Sequence, residues 1–187
     1  MFGGLQSLRW GVSNHGRRKF PAEVLAGLER RLLLFYSGQS RNSGINNWAL
    51  YKSFIDRQAD VRERFAGIAL ATRELETALD RLDWTAAGEA IAREWEIRRT
   101  LAAGISTPAM NEAFALAQAL APVSGKICGA GGGGCFFLYA SGLADAGGEA
   151  LRAKLIEAVT ASGIQSLPFR ATPTGLTIEE TRDEGPA

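Results

Sequence analysis

The run Lys126-Ile127-Cys128-Gly129-Ala130-Gly131-Gly132-Gly133-Gly134-Cys135 sets a cation and two thiols around a loop of five glycines and one alanine. Glycine loses more backbone freedom on folding than any other residue. A cluster of it therefore marks a place where the chain takes positive φ or where another group must reach bare N–H donors. Phosphate is a common guest of such loops, because several amides can point at it together. The same run also suits a tight connection that binds nothing. Its flanks favour a built feature: Pro122 ends the preceding apolar stretch, Lys126 supplies a cation, and Cys135-Phe136-Phe137-Leu138-Tyr139 is apolar on both faces, as a central, doubly covered strand is.

Other residues suited to chemistry are few. Cys128 and Cys135 are the two cysteines, and with no histidine beside them a zinc site is short of ligands. They read as reduced thiols packed as small apolar groups, which points to a cytoplasmic location. His15, the one histidine, sits in a polar stretch with no acid beside it and reads as a surface turn residue. No residue emerges as a catalytic acid or base, and none as a metal ligand.

Composition bounds what these residues can serve. A chain of 187 residues suits one domain with a substantial core. Hydrophobic content of 46%, charged content of 22% and a net charge of +1 describe an ordinary globular protein, and argue against wholesale attraction to nucleic acid or to a membrane surface. No apolar run approaches the length of a membrane span. The first residues carry Arg9, Arg17, Arg18 and Lys19 without the apolar block of a signal peptide.

The elements that must position the loop are legible from periodicity. Leu5 to Trp10 alternates and predicts a strand, broken by a turn at Ser13-Asn14-His15-Gly16, and Leu32 to Tyr36 is a compact apolar run that predicts a central strand, stopped by Gly38. Val61, Phe65, Ile68, Thr72, Leu75, Leu79 and Leu82 recur three and four apart and predict a long amphipathic helix. Asp83 reads as the N-cap of a second helix carrying Trp84, Ala87, Ile91, Trp95 and Leu101, which makes a helical hairpin. Thr107-Pro108 opens a third helix through Met110, Phe114 and Leu120, and a fourth spans Gly148 to Ser162. Strands are expected at Ile164–Arg170 and Gly175–Glu179, followed by a frayed polar tail. Single strands between helices indicate an α+β fold with an antiparallel sheet.

Four stretches, in order, resemble the carboxy-terminal half of the GHMP kinases, named for galactokinase, homoserine kinase, mevalonate kinase and phosphomevalonate kinase. They are Phe2-Gly3-Gly4-Leu5, the segment Leu33 to Arg41, the helix Glu94-Trp95-Glu96-Ile97-Arg98-Arg99, and the segment Gly125 to Gly134. Within that superfamily they are most similar to the D-glycero-D-manno-heptose 7-phosphate kinase branch, through Tyr36-Ser37-Gly38 and Ser40-Arg41. The resemblance implies a ferredoxin-like antiparallel sheet with the helical hairpin and further helices on one side. It implies a carboxy-terminal kinase domain over residues 1–180 and a disordered tail over 181–187.

The resemblance also implies that Gly129, Ala130, Gly131, Gly132 and Gly133 lie at the active site, near the substrate and the transferred phosphate. Ser37, Gly38, Ser40 and Arg41 would then face a sugar phosphate, arginine being suited to bidentate contact, although Ser40-Arg41 also reads as a solvated turn. Lys126 faces phosphate or caps the neighbouring helix. Arg98 is a ligand by the family match and a solvated helix-face residue without it.

Missing from the sequence are the family's Pro-x-x-x-Gly-Leu-Gly-Ser-Ser phosphate loop and its acidic base or metal ligand, which belong to the amino-terminal half. The expectation is therefore a chain cut from a longer polypeptide and inactive by itself. ATP and Mg2+ would be bound mainly by an amino-terminal GHMP kinase domain as partner, and the surface that domain covers would drive homo-oligomer formation. The alternative is a free-standing module that binds a small ligand or a partner chain without chemistry. A nucleic-acid module is the poorest reading, for want of interleaved basic and aromatic residues.

Overall fold

The computed structural model describes residues 2–39 and 44–177. Its centre is a four-stranded antiparallel sheet of β3 (Leu32–Tyr36), β4 (Ser124–Ile127), β5 (Cys135–Tyr139) and β6 (Gln165–Leu167), in the order β4-β5-β3-β6. With helices between β3 and β4 and between β5 and β6, this is the ferredoxin-like arrangement expected, except that helices cover both faces of the sheet and not one side. The reason is that both faces carry apolar side chains that must be buried. The two strands richest in large apolar residues, β3 and β5, take the two central places because only there are both faces covered.

Register assigns the faces. Leu33 pairs with Leu138 and Phe35 with Phe136, and these side chains are buried in one core with Met110, Phe114, Leu155 and Val159. Phe136 stacks on Phe35 with centroids 5.4 Å apart and meets Phe114 at the same distance. The covering helices are α5 (Pro108–Gln118) and α6 (Gly148–Thr160). The opposite face carries Leu32, Phe137 and Tyr139, which join Phe20, Val24, Leu79, Ala87 and Ile91 in a second core.

That second core belongs to α1 (Ala22–Glu29), α3 (Ala59–Asp80) and α4 (Trp84–Arg98). The expected helical hairpin is α3 with α4, and its hinge is set locally. Asp83 accepts a hydrogen bond from the Ala86 amide at 3.0 Å, capping α4. Thr107 caps α5 by accepting from the Met110 amide at 3.3 Å, with Pro108 in the first turn. Gly163, at φ +85°, follows the end of α6.

The amino-terminal expectation needs correction. Residues 6–19 form a hairpin of β1 (Gln6–Trp10) and β2 (His15–Lys19), and the turn is tightened by the Gly11 amide donating to Asn14 O at 2.7 Å. His15 is thus a strand residue, exposed and stacked on Trp10. Its strand, His-Gly-Arg-Arg-Lys, has no apolar residue to alternate. It is held by charge, with Arg18 pairing with Asp80 and Glu76 while Arg9 meets Glu76 at 2.5 Å. Helices α1 and α2 (Gly44–Ile55) were not foreseen either. Of the strand expected at Gly175–Glu179, residues 175–177 are not strand and the remainder lies outside the described residues, as does the tail 181–187.

Candidate active site

The glycine loop joins β4 to β5 and takes positive φ at Gly129, Gly131, Gly132, Gly133 and Gly134. At two of these the reason is contact as well as φ. A Cβ on Gly131 would stand 2.6 Å from Ile105 O, and one on Gly133 2.9 Å from Gln39 O. The loop is therefore clamped by two neighbouring connections. Gly132 donates its amide to Ile105 O at 3.0 Å, Gly134 to Gln39 O at 2.9 Å, and the Ser37 amide returns to Gly134 O at 3.0 Å. Cys128 donates to Cys135 O at 2.8 Å and closes the base.

The structure thus brings Ser37 and Gly38 to the loop. Ser37 is buried, and its hydroxyl accepts from the Gln39 amide at 3.4 Å; Gly38 takes φ +74° with open space around it. Gly129 is exposed, Ala130 and Gly132 half-buried, and Gly131 and Gly133 buried. Among the described residues, the amides of Gly129, Ala130, Gly131 and Gly133 have no main-chain acceptor. Ser40 and Arg41 lie outside the described residues.

Lys126 and Arg98 also come together, around a residue that sequence reasoning passed over. Lys126 is on β4, opposite Phe137, and its ammonium lies 2.8 Å from Glu94 Oε1. Arg98, one helical turn beyond Glu94 on α4, donates from Nε to the same oxygen at 2.5 Å. Burial pulls the Lys126 ammonium below its ordinary pKa, against the opposing pull of Glu94. The signal for Glu94 was present: Ile91, Glu94, Trp95 and Arg98 share one stripe of the helix, so a carboxylate stands at a core position.

Cavities bounded by described residues lie elsewhere. One, of about 720 Å³, is an open groove on the outer face of the hairpin between Phe2, Leu8, Trp10 and Arg17. Among the described residues no group of three or more His, Cys, Asp or Glu side chains can hold a metal ion. No helix among the described residues is long and apolar enough to cross a membrane.

Residues 75–157, from the last turns of α3 to most of α6 and including the whole loop, match the family model described as GHMP kinases C terminal. The fold is that of the GHMP kinase C-terminal domain. Solved structures with this fold include the Lin0012 protein of Listeria innocua, with TM-score 0.73 at 16% identity over 87% of this chain and 44% of that one. The mevalonate kinase of L. major in complex with R-mevalonate gives 0.69 at 14%, over 88% and 48%. The phosphomevalonate kinase of Streptococcus pneumoniae, in complex with phosphomevalonate and AMPPNP, gives 0.63 at 16%, over 82% and 42%. The chain spans less than half the length of each of these three proteins. No curated protein sequence matches it.

Proposed function

We propose that the chain is the substrate-side part of an ATP- and magnesium-dependent GHMP-type kinase, acting on the anomeric hydroxyl of a heptose 7-phosphate. One observation carries this reading: the glycine loop is clamped by the ends of β3 and the α4–α5 connection while several of its amides stay without main-chain acceptors among the described residues. Phosphoryl transfer asks mainly for positioning and for compensation of charge on the phosphoryl oxygens, and preset amides supply both without reorganising. In this reading Gly129, Ala130, Gly131 and Gly133 donate to phosphate oxygens, Ser37, Gly38, Ser40 and Arg41 hold the sugar phosphate, and Lys126 and Arg98 add positive charge.

Residues for the nucleotide's phosphates, the metal and the base that takes the hydroxyl proton come from an amino-terminal GHMP kinase domain. The structural relatives, about twice as long, support that partner. The test joins this chain to such a domain and supplies ATP, Mg2+ and a panel of sugars and sugar phosphates. Phosphorylated heptose 7-phosphate is the expected product. A folded joined protein that phosphorylates no member of the panel would sink the reading.

A second reading, a ligand-binding module without chemistry, draws on one feature: among the described residues no carboxylate or histidine stands free beside the loop to act as base. A screen by thermal shift separates it, since a ligand at about a hundred times its Kd adds about 2.7 kcal/mol. Ligand binding by the chain without turnover in the joined protein would favour the module.

A further inference from the structure

Glu94 is an unusual residue to bury. Its side chain is 9% exposed, its Oε2 is buried without a partner, and both cations, from different elements, converge on Oε1. The surroundings hold it rigidly: Trp95, next in sequence, is buried against Phe114, while Ala90 and Ile91 are buried one turn earlier. A buried carboxylate that gathers two cations leaves a surplus of one positive charge. The cations are themselves only partly covered, 25% exposed for Lys126 and 29% for Arg98. One donor of each is spent on Glu94, which leaves most donors of both groups for another acceptor. The cluster also sits at the entrance of the glycine loop, two residues from Cys128 along β4.

We propose that Glu94 is a positioning residue: it holds Lys126 charged and aims it, together with Arg98, as a two-cation seat for a phosphate or phosphate-ester group at the start of the glycine loop. The inference rests on the kinase reading for its ligand class, and it assigns the part of the site that chooses an anionic substrate over a neutral one. The physical need is specific. Partial burial lowers the pKa of Lys126, and the groups facing it are Glu94 and Arg98 from α4 and Cys128 beyond β4. Arg98 opposes the charge on Lys126, whereas Glu94 holds it. Removing the carboxylate takes away the main influence that opposes burial and keeps the Lys126 pKa up.

The test compares the wild-type chain with Glu94→Gln, Lys126→Met and Arg98→Met, after circular dichroism shows that each is folded. Binding of inorganic pyrophosphate is measured by calorimetry across pH. In parallel, acylation of Lys126 by an amine-directed reagent is followed by mass spectrometry. We expect wild type to bind pyrophosphate and each methionine variant to bind it about tenfold more weakly. Glu94→Gln should lose binding at a pH about one unit lower than wild type does, and its Lys126 should be acylated about tenfold faster near neutral pH. A purely structural Glu94 would leave the pH profile of pyrophosphate binding where it is in wild type.

Unchanged profiles in a folded Glu94→Gln would overturn the proposal, and so would a wild-type chain that does not bind pyrophosphate. If Glu94→Gln fails to fold, Glu94→Asp replaces it. That variant keeps the charge, so a wild-type acylation profile with weaker pyrophosphate binding is expected, and wild-type affinity would overturn the proposal. Phosphoryl transfer by the joined protein in the absence of pyrophosphate binding would reject this seat while leaving the kinase reading in place.

Discussion

The loop end of the central sheet and the β1–β2 hairpin are both short antiparallel pairs, yet they are held by different forces. Under the loop lie Phe35 and Phe136, both fully buried, and over it run hydrogen bonds from Ser37, Gly134 and Gly132 to partners on other segments. Burying such side chains contributes about 1.5–3 kcal/mol each. The hairpin turns Leu8 and Trp10 outward and is tied to α3 through Arg9, Arg18, Glu76 and Asp80. These pairs join exposed arginines to a buried Glu76 and to Asp80 at the surface, where solvent weakens the attraction. The structure thus invests its packing where backbone donors must be held in place, and leaves the hairpin as the part that opens first.

The difference can be broken at its strongest point first. Phe136→Ala removes a ring shared by β3, β5 and α5 and should cost about 3–5 kcal/mol in urea unfolding. A loss near zero would mean that this core does not support the loop. Next, Gly131→Ala puts a Cβ where φ is +93° and Ile105 O already stands. It should cost about 1–3 kcal/mol and shift the loop's amide resonances, and unchanged stability and spectra would show that the clamp is not there.

Acid sharpens the comparison. The arginine hydrogen bonds hold Glu76 and Asp80 below their ordinary pKa values of 4.5 and 3.8. Their contribution is therefore present above those values and lost as the pH falls through the lowered ones. Hydrogen exchange of the β1 and β2 amides should lose protection there while β3 and β5 keep theirs, and simultaneous loss in both sheets would contradict the separation. The smallest effect is expected from Trp10→Ser, within about 0.5 kcal/mol of wild-type stability. The same substitution should reduce self-association of the chain in light scattering at high concentration. A wild-type chain that stays monomeric there would remove the hairpin's outer face as an association surface.

What could be read from the sequence follows the same division. β3, β5, the α3–α4 hairpin and α5 were legible because apolar periodicity, the Asp83 cap and Thr107-Pro108 all report burial directly. β2 was not, because its register rests on charges contributed by α3, more than fifty residues away. β4, Ser-Gly-Lys-Ile, hides for another reason: Gly125 is packed beneath Phe137 O and the Phe114 ring, so the residue that reveals contact is one without a side chain. α1 merges into the apolar run that follows, and its Gly27 makes room for the Trp84 ring. At the site, the loop and its meeting with Ser37 and Gly38 could be anticipated. The joining of Lys126 to Arg98 through Glu94 required knowing that α4 lies against β4.

The central claim, that the glycine loop and the connections clamping it receive a phosphate group, is tested most directly by isotope-edited NMR of the chain titrated with heptose 7-phosphate and with inorganic pyrophosphate. The account predicts amide shifts concentrated at Gly129 to Gly133, Ser37 and Gly38, with Lys126 following. Shifts confined to the hairpin groove around Leu8, Trp10 and Arg17, or a silent loop at saturating ligand, would contradict it.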